Sequence, residues 1–139
     1  PKLVINWVVM ICSIIAATLV FESFAGLSVF NTIMLILCLL CLFTGHLFWS
    51  AEMDIMNPQF EQYQTTGQNI NNPNENKSIL IAFIIAILVC GISLFLLNEN
   101  ANTVYWKIFF FSFIFVAYRV YMFFTKIKLY YLRPYREEK

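Results

Sequence analysis

Apolar and polar positions along this chain separate into blocks, with no alternation of the kind a half-buried strand shows. Four uninterrupted apolar runs cover Leu3–Phe21, Leu27–Trp49, Ser78–Leu97 and Val104–Phe124, each of roughly 19 to 23 residues and none containing proline. At about 1.5 Å per residue, a helix of that length crosses a hydrocarbon core of about 30 Å. A helix also closes every backbone hydrogen bond within itself, which lipid demands. A membrane barrel would instead need alternating segments of about ten residues. The pattern predicts an all-α integral membrane protein with four transmembrane helices.

The linkers divide the runs into pairs. Glu22–Gly26 and Asn98–Thr103 are short, so the runs they join are expected to form two antiparallel hairpins. Between the hairpins lies Ser50–Lys77, a long polar loop rich in Asn and Gln. Its Asn57-Pro58 and Asn72-Pro73 steps oppose helical continuation and favour turns. The whole of 1–139 reads as a single transmembrane domain, closed by a basic tail over 125–139.

Composition supports this reading. The chain is 60% hydrophobic and 12% charged, with mean hydropathy +0.72, whereas a soluble domain carries about 25% charge. A net charge of +1 gives no field that would point to nucleic acid. The placement of the cations is more informative than their sum. With the N-terminus inside, Lys2, Lys77, Arg119, Lys126, Lys128, Arg133, Arg136 and Lys139 lie on the inner side and Lys107 alone on the outer. The positive-inside rule then places both termini and the long loop in the cytoplasm, in a multi-pass protein of the cell membrane. Trp7, Trp49, Tyr105, Trp106, Tyr130 and Tyr131 fall near the interfaces, where an aromatic belt sits. The first run is long for a signal peptide, and Glu22-Ser23-Phe24-Ala25 is a poor cleavage site. The chain begins with Pro1 and not Met, so it is expected to be a processed form or a piece of something longer.

Chemistry-bearing residues are few. Cys12, Cys38, Cys41 and Cys90 all lie in apolar runs, unlike a disulfide framework in polar loops. There is no G-x-x-x-x-G-K-[ST], H-E-x-x-H or G-x-S-x-G. His46 is the only histidine, and a haem or metal site needs several ligands. No catalytic residue, cofactor or metal is therefore expected. His46 is expected to hydrogen-bond a neighbouring helix, the alternative being a proton relay with Glu52 or Asp54. Arg119 is the one charge well inside an apolar run, Lys107 lying at the outer edge of the fourth. It lies about one and a half turns from the inner end, within snorkelling reach of the headgroups. Arg119, Lys126 and Arg133 recur every seven residues, so the fourth helix is expected to continue past the membrane until Pro134 opposes it.

The loop holds the most specific pattern. Met53, Ile55, Met56, Phe60 and Tyr63 are mixed with carboxylates, which suits a short element lying on the membrane surface or under a partner. Glu75 with its Asn and Ser neighbours suits the start of the third helix, where acid complements the dipole.

The run Glu52-Met-Asp54-Ile-Met56-Asn57-Pro58-Gln59, then Tyr63, Thr66-Gly67 and Asn72-Pro73-Asn74-Glu75, resembles the cytoplasmic loop of permease subunits of type 2 ABC exporters from low-GC Gram-positive bacteria. The resemblance covers about residues 49–131, ending at Lys126-Ile-Lys128-Leu-Tyr130-Tyr131. It implies a permease portion of an ATP-driven exporter, coupled through this loop to a separate cytoplasmic ATPase subunit that performs all ATP hydrolysis. Asp54, Asn57, Pro58, Asn72, Pro73 and Glu75 would contact that partner or shape the loop for it. Such permeases usually have six or more spanning helices. The resemblance thus implies the C-terminal part of a longer permease, completed by further transmembrane segments or a second copy. The alternative reading is a non-catalytic membrane anchor or assembly subunit of a larger complex.

Overall fold

A computed structural model describes residues 2–57, 73–95 and 100–132. All of the regular structure in these residues is α-helix: α1 (Lys2–Ala25), α2 (Val29–Met56), α3 (Pro73–Phe95) and α4 (Ala101–Leu132). Each is long and apolar enough to cross a membrane. Pro58, Tyr63, Thr66, Gly67, Asn72, Arg133, Pro134, Arg136 and Lys139 lie outside the described residues.

Short-range chemistry sets the helix ends. Gly26 takes φ +60°, a left-handed conformation that glycine adopts without a Cβ penalty. Its N–H donates to Glu22 O at 2.9 Å, ending α1. Ser28 then caps α2, its Oγ accepting from Asn31 N at 3.3 Å. Asn100 does the same for α4, its Oδ1 accepting from Asn102 N at 3.1 Å.

Three helices outrun their apolar sequence. α2 continues through Ser50–Met56, where a loop was expected, and α3 begins at Pro73, five residues before its apolar run. Proline is well placed in a first helical turn, where its missing N–H would have no partner anyway. Glu75 lies in that same turn, against the positive end of the dipole. α4 continues to Leu132, as the seven-residue recurrence of its cations predicts. Polar residues stop a hydropathy run, but they do not stop a helix whose side chains find partners.

Which ends meet fixes the running directions. Trp7 Nε1, near the start of α1, donates to Thr44 Oγ1 late in α2 at 3.0 Å, so α1 and α2 are antiparallel. His46 and Ser78 join the later part of α2 to the start of α3, so these two are antiparallel as well. Tyr105 lies by Cys38 while Arg119 lies by Glu52, so α4 runs parallel to α2. The start of α1, the end of α2, the start of α3 and the end of α4 share one end of the bundle.

The dominant packing is between α2 and α4, across the expected hairpins and not within them. α2 touches all three other helices, α1 touches only α2, and α3 meets α4 lightly. Along the α2–α4 seam the Phe115 ring of α4 packs onto Gly45. A Cβ built there would sit 2.5 Å from the Phe115 ring. Farther along, Phe48 meets Phe123 edge-on, with centroids 5.0 Å apart.

Burial is inverted relative to a water-soluble bundle. Among the described residues the buried apolar ones are Ile14, Met34, Cys38 and Phe123, while Thr18, Thr32, Glu52, Asn74, Ser78, Ser112 and Arg119 are buried polar ones. Large side chains such as Phe24, Phe83, Ile87, Phe110 and Tyr121 face outward. In lipid, the tails are as apolar as leucine, so close packing and interhelical hydrogen bonds drive association. Hydroxyls without an interhelical partner bond back to their own helix, as Thr18 does to Ile14 O and Ser112 to Ile108 O, each at 2.7 Å.

Candidate functional site

The polar end of the bundle carries three linked contacts, each built on α2. The deepest is a charge cluster. Glu52 lies one helical turn beyond Trp49, on the same face of α2, and only 5% of it is exposed. Its Oε2 accepts from Arg119 Nη2 at 2.7 Å, and its Oε1 accepts from Lys126 Nζ. Arg119 and Lys126, seven residues apart on α4, share a stripe, so one carboxylate engages both. The Arg119 guanidinium also lies 4.1 Å from the centre of the Trp49 ring, where the ring quadrupole attracts a cation.

Arg119 is 6% exposed and is held within the bundle by a carboxylate from another helix. A charge of this kind is costly in lipid unless it is paired, and Glu52 supplies the pair. The cluster still contains two cations and one anion, and Arg119 Nε is buried with no hydrogen-bond partner among the described residues.

The second contact ties α2 to α3. His46 Nε2 donates to the carbonyl of Ser78 at 2.9 Å, the interhelical bond expected of it. Ser78 Oγ lies 3.3 Å from the same nitrogen and donates to Ser50 Oγ at 3.2 Å. A serine hydroxyl beside a histidine is the elementary arrangement of nucleophilic chemistry. Here, though, the nitrogen facing Ser78 carries the proton given to the carbonyl, so it cannot take one from the hydroxyl. Glu52 is occupied by Arg119 and Lys126, so no relay from His46 to Glu52 is assembled.

The third contact joins the two ends of the polar loop. Asn57 caps α2, its N–H donating to Met53 O at 2.9 Å. Its own carbonyl accepts from Asn74 Nδ2 at 2.9 Å, and Asn74 is 4% exposed. Of the residues singled out in the loop, Asp54 is exposed in the last turn of α2, Pro73 opens α3, and Glu75 is exposed in its first turn. Pro58 and Asn72 lie outside the described residues. The structure thus brings the Asn57 and Pro73 ends together through Asn74.

Sequence reasoning missed Asn74 and the pairing of Glu52 with Arg119 and Lys126. The signal for the pairing was present in the seven-residue spacing of Arg119 and Lys126, opposite a carboxylate at the end of α2. Among the described residues there is no group of three or more His, Cys, Asp or Glu that could hold a metal ion. The four cysteines are free thiols.

Two apolar clefts flank the place where α3 meets α2. One, of about 290 Å³, lies among α2, α3 and α4 and includes Trp49, Ile85, Val89, Ser112 and Phe115 in its walls. The other, of about 490 Å³, lies between α2 and α3 and reaches His46. α3 is thereby set apart from the tight α2–α4 pair.

The chain matches no family model, no curated protein and no solved structure. The geometry of the polar end and the pattern of the loop carry the functional reading.

Proposed function

We propose that the chain is the membrane-spanning permease portion of an ATP-driven exporter, driven through its cytoplasmic loop by a separate ATPase subunit. The observation that carries this reading is the junction of the two loop ends, where Asn74 holds the Asn57 carbonyl at 2.9 Å. A partner pressing on the loop at Asp54, Asn57, Pro73 and Glu75 would load α2 and α3 together. The Glu52 clamp would pass that load from α2 to α4, while the open clefts leave α3 room to swing. Motion of this kind is a rigid-body rocking of helices. The distribution of Lys and Arg supports a cytoplasmic polar end in the cell membrane. The outward stripe Leu80, Ile87 and Leu94 of α3, each more than half exposed, is where further transmembrane segments or a second copy would pack.

Purification of the chain from its native membranes tests the reading. A P-loop ATPase should co-purify with it, and replacing Asp54, Asn57 and Glu75 together by Ala should release that ATPase. Normal association in the triple variant would contradict the loop assignment. The second reading, an anchor or assembly subunit, is favoured by the same outward stripe on α3. It predicts a stable complex without any ATPase, and a loop tolerant of substitution.

A further inference from the structure

The cleft among α2, α3 and α4 and the charge cluster adjoin each other, and together they describe one ligand. Along α3 the cleft wall runs from Ile81 to Ile92, eleven residues or about 16 Å at 1.5 Å per residue. That is half of a hydrocarbon core of about 30 Å, the depth of a single leaflet. A helix from another chain crosses the whole core, whereas an acyl chain ends at the midplane. The wall is apolar apart from Ser112 and the edge of Trp49, and Ser112 Oγ is already committed to Ile108 O.

At its polar end the cleft is bounded by Trp49, whose ring also packs against the Arg119 guanidinium of the charge cluster. Ser112, Phe115, Arg119 and Lys126 follow at spacings of three, four and seven residues, so the stripe of α4 that lines the cleft carries both cations of the cluster. Trp49 is shared, since its ring lines the cleft and underlies Arg119. Among the described residues two cations meet at one carboxylate, Arg119 Nε has no hydrogen-bond partner, and the Lys126 side chain is 38% exposed. An anion at the rim would complete the balance. The wider cleft ends instead at His46, whose Nε2 is engaged by Ser78 and carries no comparable surplus.

We propose that the α2–α3–α4 cleft is a site for an anionic phospholipid of the leaflet at the Glu52 end, with an acyl chain between α3 and the α2–α4 pair and its phosphate at Lys126. The proposal goes beyond the exporter reading and does not depend on it. A lipid held there would act as the packing partner that α3 otherwise lacks.

Native mass spectrometry of the purified chain, delipidated in a neutral detergent, tests this without any ATPase. Phosphatidylglycerol should bind about fivefold more tightly than phosphatidylcholine of the same acyl chains, the weight of one basic residue at a membrane surface. Lys126→Gln should abolish that preference while leaving phosphatidylcholine binding unchanged. Lys128→Gln, on an exposed residue off the stripe, should leave the preference intact. Ile85→Trp, which fills the cleft, should lower binding of both lipids severalfold. It decides the matter should Lys126→Gln fail to reach the helical fold by circular dichroism. Equal binding of the two lipids, undiminished binding to Ile85→Trp, equal loss of preference in Lys128→Gln, or binding of glycerol phosphate as tight as that of phosphatidylglycerol would each overturn the site. So would a dimer that forms through α3 and excludes lipid.

Discussion

Glu52 and Arg119 stand 67 residues apart in the chain and meet at 2.7 Å inside the bundle. Each is the reason the other can be buried. The carboxylate would be an unpaired anion without α4, and the guanidinium would have to reach the headgroups without α2. Removing Glu52 leaves the Arg119 charge buried and uncompensated, a change that costs about 3–5 kcal/mol, whereas removing Arg119 leaves Glu52 still paired with Lys126. Glu52→Ala should show that loss in equilibrium unfolding in mixed micelles. The Glu52→Ala/Arg119→Ala double variant should lose less than the sum of the two single variants, as contacting residues do. Strict additivity would mean that the pair does not hold the seam.

Gly45 of α2 lies directly under the Phe115 ring of α4. A methyl group there would meet the Phe115 ring at 2.5 Å, well inside van der Waals contact. The ring packs beside Trp49, with centroids 6.5 Å apart. Gly45→Ala should cost about 1–3 kcal/mol, the usual range for overpacking. Phe115→Leu should recover part of it in the same unfolding experiment.

His46 joins α3 to α2 through the Ser78 carbonyl. Losing a single hydrogen bond costs about 1 kcal/mol, but this one acts on the most weakly packed helix. His46→Ala should therefore speed amide exchange in the first turns of α3 and leave the α2–α4 seam unchanged. Hydrogen exchange read by mass spectrometry separates the two regions. Equal acceleration in both would show that α3 is not an independent unit.

The common polar end makes a prediction about accessibility. In a background with Cys12, Cys38, Cys41 and Cys90 replaced by Ser, Asp54→Cys and Glu75→Cys should react with an impermeant maleimide from the same side of sealed vesicles. Asn102→Cys should react only from the other. Labelling of Asp54→Cys and Glu75→Cys from opposite sides would contradict the shared end.

Helix number and the continuation of α4 were readable because both depend on local patterns: uninterrupted apolar runs, and cations every seven residues. The bounds of α2 and α3 were not. A polar stretch such as Ser50–Met56 ends a hydropathy run, whereas its helicity depends on Glu52 finding Arg119 and on Asn57 closing the last turn. The pairing of α2 with α4 was hidden for a similar reason. Short linkers suggest that neighbours in sequence pack most tightly, but the small Gly45 and the Glu52 carboxylate favour a partner from across the loop. Arg119 stood out as an intramembrane charge, yet its depth could not be judged without the carboxylate that pairs with it. Asp54 and Glu75 are exposed, so the partner contact proposed for them would belong to a surface that nothing within the chain itself specifies.

ATP hydrolysis tests the central claim most directly. The chain and the P-loop ATPase that co-purifies with it, reconstituted together in sealed vesicles, should hydrolyse ATP severalfold faster than the ATPase alone. The Asp54→Ala/Asn57→Ala/Glu75→Ala variant, with its helical content intact, should lose that stimulation. An ATPase rate indifferent to the chain, or stimulated equally by the triple variant, would contradict a permease driven through this loop.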